Sequence, residues 1–145
     1  MPTIVVGVDG SDPAGAALRF AIEEAQLRDA QLRLVCAWEL PVAEWGELPP
    51  PEETYDRFRR EAEEVVANAA AVVEKEAPSV ECERLAPEGP PATVLVEQAS
   101  DASMLVVGSR GRGTVAGLVL GSVSQEVVKH AACPVLVVPH ESSSG

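Results

Sequence analysis

The apolar residues of this chain fall into short continuous runs, separated by longer stretches in which they recur at three- and four-residue spacing. Thr3 to Val8 is a nearly unbroken β-branched run, the pattern of a strand buried on both faces. Leu32 to Trp38, Met104 to Val107 and Val135 to Val138 repeat it. Val80 to Leu85 alternates instead, with Val80 and Cys82 expected inward and Glu81 and Glu83 outward, which suits an edge strand. Between the first two runs, Ala17, Leu18, Ala21, Ile22 and Ala25 share one face of a predicted helix, capped by Ser11 or Asp12 and with Pro13 in its first turn. After the proline-rich loop Glu39 to Pro51, Phe58, Ala62, Val65, Val66, Ala69, Val72 and Val73 mark a longer amphipathic helix. Shorter helices are predicted at Ala92 to Asp101 and Ser122 to Ala131.

Strands that alternate with helix-length connections predict an α/β chain: one open five-stranded parallel sheet with helices on both faces. A single domain is expected over residues 1–140, with Glu141 to Gly145 as a disordered tail. In such sheets ligands bind beyond the carboxyl ends of the strands. That rule selects Asp9 to Ser11, then Ala37 and Trp38, then the chain from Gly108 onward. Trp38 itself is expected to pack in the core.

Composition narrows the picture. A chain of 145 residues has the size of one ordinary domain. The mean hydropathy of +0.08 is that of a globular chain, and no apolar run approaches the roughly 20 residues of a membrane span, so no membrane partner is expected. The start, MPTIVVGVDG, lacks the basic head of a secretory leader, and a cytoplasmic location is expected. Cys36, Cys82 and Cys133 form no CxxC pair and are expected to be buried small hydrophobes, not disulfides or zinc ligands. His130 and His140 carry no expected chemistry.

The formal charge of −12 opposes nucleic acid as a partner. The charge is uneven, however. Ser103 to Pro139 holds Arg110, Arg112 and Lys129 against Glu126 alone, so a small anion meets its most favourable field there. Gly108, Gly111, Gly113, Gly117 and Gly121 crowd the same stretch ahead of the predicted helix at Ser122. Glycines let main-chain N–H groups approach phosphate oxygens, and the first-turn N–H groups of a helix lack partners. Ser122 and Ser124 add hydroxyls. The loop is not a Walker motif, because no lysine precedes Ser122, and it lies after the fourth strand, not the first, so it is not a dinucleotide fingerprint.

With these residues in place, the chain resembles the universal stress proteins. Gly108, Gly111, Gly121 and Ser122 fit that family's ATP-binding spacing, G-x2-G-x9-G-[ST], without a gap; IVVGVDGS is similar to its first strand and aspartate, and CPVLVVP to its last strand. The likeness runs from Thr3 to Pro139. It implies a Rossmann-like fold of the adenine nucleotide alpha hydrolase type that binds ATP, with Mg²⁺ held through the phosphates and not by protein side chains. Carried over position by position, it implies that Asp9, preceded by Val8, faces the adenosine, that Ala37 offers main-chain groups to adenine, and that Gly108 lies by the ribose. Gly111, Gly121, Ser122, Val123 and Ser124 then surround the phosphates, with Arg110 and Arg112 inside the motif.

The function implied is a nucleotide-dependent sensor or regulator in the stress response, acting on a protein effector that the sequence does not identify. The apolar last strand has no guarding lysine, so a homodimer paired through Val135, Leu136, Val137 and Val138 is expected. Between Gly108 and Glu126 there is no carboxylate or histidine to orient a water, so binding without rapid turnover is expected, with slow hydrolysis compatible. The alternatives are a weak ATPase or adenylate-handling enzyme on the same sheet, and a module for AMP or a cyclic nucleotide, because main-chain contacts to adenine are blind to phosphate number.

Overall fold

Residues 1–40, 50–109 and 120–139 are described by a computed structural model. Their elements alternate as the apolar pattern predicts: β1 (Thr3–Gly7), α1 (Asp12–Arg28), β2 (Gln31–Val35), α2 (Glu52–Glu76), β3 (Cys82–Leu85), α3 (Pro91–Gln98), β4 (Met104–Gly108), α4 (Ser122–His130) and β5 (Val135–Val138). The five strands form one parallel sheet in the order β3-β2-β1-β4-β5. The winding reverses after β3, because β4 lies on the far side of β1. Right-handed crossovers therefore put α1 and α2 on one face and α3 and α4 on the other.

The pleat divides the core accordingly. Ile4, Val6, Leu32, Leu34 and Val106 point to the face covered by α1 and α2, where they meet Ala17, Leu18, Ala21, Val66 and Val73. Val5, Val35, Leu105 and Val107 point the other way, onto Val94, Leu95 and Ala99 of α3 and Val127 of α4. Alternation of apolar residues toward two covered faces is why the strands read as continuous runs. Arg33 is the charged exception on β2. Its guanidinium donates to the Gln98 carbonyl at 2.8 Å and pairs with Glu83 at 3.0 Å and Asp101 at 3.3 Å, tying β2 and β3 to the end of α3.

The local signals act as expected at α1. Ser11 is its N-cap and accepts the Ala14 N–H at 3.3 Å, and the helix stops at Asp29, whose φ of 53° is the left-handed turn that ends many helices. Three expectations need correction. β3 starts at Cys82, Val80 lying in the turn after α2, and Cys82 is exposed although it was expected inward. As the outermost strand, β3 has a neighbour on one side only, and all of it but Leu85 is exposed. Of the three cysteines only Cys36 is buried; Cys133 is half-buried, and its partial burial raises the thiol pKa. Trp38 is likewise half-buried, resting against the core and not inside it. Among the described residues, no helix is long and apolar enough to cross a membrane.

Candidate functional site

The carboxyl ends of β1, β2 and β4 open into a cleft of about 700 Å³, within the range of small-molecule sites. Three pieces of backbone build its floor, and each follows from how its strand ends.

The first is the exit from β1. Val8 still donates to the Val35 carbonyl at 2.9 Å, and the chain then turns away through Gly10, whose φ of 82° favours glycine. Asp9 lies between them, half-buried. Its Oδ1 accepts the Ser11 N–H at 2.8 Å and the Ser11 hydroxyl, and that hydroxyl in turn caps α1. Of the two expected caps, Ser11 and Asp12, it is Ser11 that caps the helix, and Asp9 supports that cap from behind. The carboxylate therefore links the cleft to the start of α1.

The second piece continues β2. Pairing with the β3 side runs three residues past the strand: Cys36 N–H donates to Leu85 at 3.0 Å, Trp38 N–H to Pro87 at 3.2 Å, and Gly89 N–H to Trp38 at 2.8 Å. Main-chain groups of successive residues in an extended strand point to opposite sides. Cys36 and Trp38 face β3, so Ala37 faces the side of β1, one step beyond the Val8 to Val35 bond. There β1 has already turned away. The N–H of Ala37 has no hydrogen-bond acceptor among the described residues, and its carbonyl takes the weak Cys36 Sγ–H donor at 3.9 Å, which leaves it capacity for a second bond, so a donor and an acceptor lie side by side on the cleft. Trp38 Nε1 donates to the Ala86 carbonyl at 2.9 Å and locks the segment in place.

The third piece joins β4 to α4. Gly121 N–H donates to the Ser109 carbonyl at 2.6 Å, and the buried Ser124 hydroxyl lies 2.8 Å from the Gly108 carbonyl and 3.1 Å from that of Ser109. These bonds seat the start of α4 directly on the strand end. No side chain among the described residues caps that helix. The N–H groups of Ser122 and Val123 therefore meet the cleft without intrahelical partners, an arrangement suited to an anion.

Of the expected site residues, Val8, Asp9, Ala37, Gly108, Gly121, Ser122, Val123 and Ser124 all line this one cleft. Arg110, Gly111 and Arg112 lie outside the described residues. Ser124 enters differently from expectation, since its hydroxyl is directed to two carbonyls of the chain itself. Among the described residues no group of three or more His, Cys, Asp or Glu side chains could hold a metal ion. Sequence reasoning missed a whole wall: Phe58, Val65 and Asn68 of α2, with Pro91 and Leu95 of α3 opposite. Asn68 carried no separate signal, since it lies with Glu61 and Glu64 at the polar margin of the apolar stripe of α2.

The model of the universal stress protein family matches residues 1–139. Universal stress protein Rv2624c of Mycobacterium tuberculosis is 38% identical over 138 residues, which are 95% of this chain and 48% of that protein. The chain spans about half the length of the curated relatives it matches. A universal stress protein from Archaeoglobus fulgidus, solved in complex with dAMP, is 31% identical with a TM-score of 0.70, covering 95% of this chain and 97% of that one. Another universal stress protein, solved in complex with cAMP, is 31% identical with a TM-score of 0.61, covering 97% and 98%.

Proposed function

Since this chain belongs to the universal stress protein family, we propose that its cleft holds an adenine nucleotide, ATP with Mg²⁺ on its phosphates, and that the bound nucleotide sets the partner affinity of a homodimer. The observation that carries the reading is the placement, in one cleft, of the Ala37 main-chain pair and the uncapped start of α4. The Ala37 pair suits the edge of adenine, whose N1 accepts and whose N6 amine donates. The α4 terminus suits the phosphates. Asp9, on the β1 exit between them, stands where a ribose hydroxyl would donate.

Base selectivity tests this directly. Guanine presents N1–H and O6 where adenine presents N1 and the amine, so both contacts at Ala37 would be reversed. In isothermal titration the chain is expected to bind ATP at least about tenfold more tightly than GTP, a difference of about 1.4 kcal/mol. Equal affinities would remove Ala37 from the site.

The second reading, AMP or a cyclic nucleotide, is favoured by the two neighbours solved with dAMP and cAMP. Identifying the nucleotide released by acid from the purified protein separates the two. In either case the chain is proposed to bind without rapid turnover. The acids lining the cleft are Asp9, Glu39, Glu61 and Glu64, and the α4 end, where phosphates would lie, presents none among the described residues. ATP is expected to stay intact on the protein for many minutes. Steady release of phosphate above about one per second, the range of kinases, would instead make it an enzyme.

A further inference from the structure

Hydrogen bonds to the edge of a strand lie close to the plane of its sheet, so a base bound at Ala37 extends that plane beyond the end of β1. Its two π-faces then look at the two helical layers. From the layer of α1 and α2, the cleft is lined by Trp38, Phe58 and Val65; from the layer of α3 and α4, by Pro91 and Leu95. We propose that the purine is clamped between Phe58 and Pro91, and that Phe58 is the stacking residue that decides whether a planar base is held. This rests on the adenine-nucleotide reading and adds to it a base subsite built by α2 and α3.

The helix geometry explains why Phe58 is available. α2 connects parallel strands, so it runs back along the sheet, starting at the carboxyl end. Its 25 residues span roughly 37 Å at 1.5 Å each, whereas a five-residue strand covers roughly 17 Å. The surplus overhangs the cleft. The buried residues of α2 begin only at Ala62, one turn after Phe58. Phe58 is therefore half-buried, with cleft in place of a core neighbour.

Its surroundings favour stacking. The Arg57 guanidinium lies 5.2 Å from the ring centroid and covers one side of the ring from solvent. Opposite, Pro91 follows Pro90 in the first turn of α3, one turn before buried Leu95, and its ring fixes the backbone there, so that wall is stiff. Aromatic residues make up only 3% of the chain, and Trp38, Tyr55 and Phe58 all occur where β2 and α2 meet the cleft end of the sheet. Such a concentration is spent away from the core, whose largest fully buried side chains are aliphatic.

The test follows AMP by proton NMR and isothermal titration. In the parent, the adenine H2 and H8 signals should move upfield on binding, from ring current. Phe58→Leu and Phe58→Met keep apolar volume and helix preference but lack a π-face; either should weaken AMP binding roughly 5- to 150-fold, the range of base-on-aromatic stacking, and abolish the upfield shift. Phe58→Trp should restore both. Pro91→Ala should weaken binding about two- to threefold. Parent-like affinity and shift in a folded Phe58→Leu or Phe58→Met variant would overturn the clamp while leaving the nucleotide site standing. A parent protein that binds no adenine nucleotide would overturn the nucleotide reading itself, and the clamp with it.

Discussion

Gly121→Val is expected to abolish ATP binding in a protein that remains folded. The cause is space, not backbone strain. Gly121 has φ −70° and ψ 167°, an extended conformation that valine adopts readily. Gly121 is buried at the mouth of the cleft, its N–H tied to Ser109, immediately before the N–H groups of Ser122 and Val123. A branched side chain there occupies the volume in which a phosphate would approach those groups. Loss beyond about a hundredfold follows, because the anion loses several donors at once. Ser122→Ala deletes a single hydroxyl donor to a charged acceptor, about 1.5 to 3 kcal/mol or roughly ten- to a hundredfold. Arg110→Ala, an exposed charge by expectation, should cost less and should matter less as salt rises. Isothermal titration of ATP with magnesium, after circular dichroism confirms folding, ranks the three. Parent-like affinity in folded Gly121→Val would place the site elsewhere.

The pattern of apolar runs made the sheet legible because its strands are covered on both faces, so burial left few polar positions to confuse the reading. It failed where cover ends. Cys82 alternates with glutamates as an inward residue should, but β3 is the outermost strand and the alternation there has no core to point to. The floor of the cleft was also legible, because a glycine cluster before a helix and an aspartate after a strand are local features that act through their own backbone. Its α2 wall was not. Phe58 and Val65 repeat at the spacing of core residues, and only the excess of helix over strand brings them to the cleft. Ser124 shows the converse. As a hydroxyl beside a phosphate loop it reads as a donor to ligand, but the seating of α4 on β4 aims it at the carbonyls of Gly108 and Ser109.

Val137→Pro is expected to turn a dimer into a folded monomer. β5 is the edge of the sheet, and its bonds to β4 show which groups remain for a partner. Leu105 N–H donates to Pro134 at 2.9 Å and Ser109 N–H to Val138 at 2.8 Å, so residues 134, 136 and 138 face β4, and Val135 and Val137 present their N–H and C=O outward. Side chains are poor handles on this edge. Val138 is buried in the core and Leu136 packs against that core, so lysine at either position would attack the fold before it reached the dimer. Proline at 137 spares every bond to β4 and removes one outward donor, twice in a two-fold pair. Two lost bonds and their stranded acceptors amount to roughly 2 to 3 kcal/mol, about 30- to 150-fold in dimer affinity. Light scattering at micromolar concentration should give about twice 15.2 kDa for the parent and 15.2 kDa for the variant. A monomeric parent would refute pairing through β5 outright, and a folded Val137→Pro protein that stays dimeric would move the interface to another face.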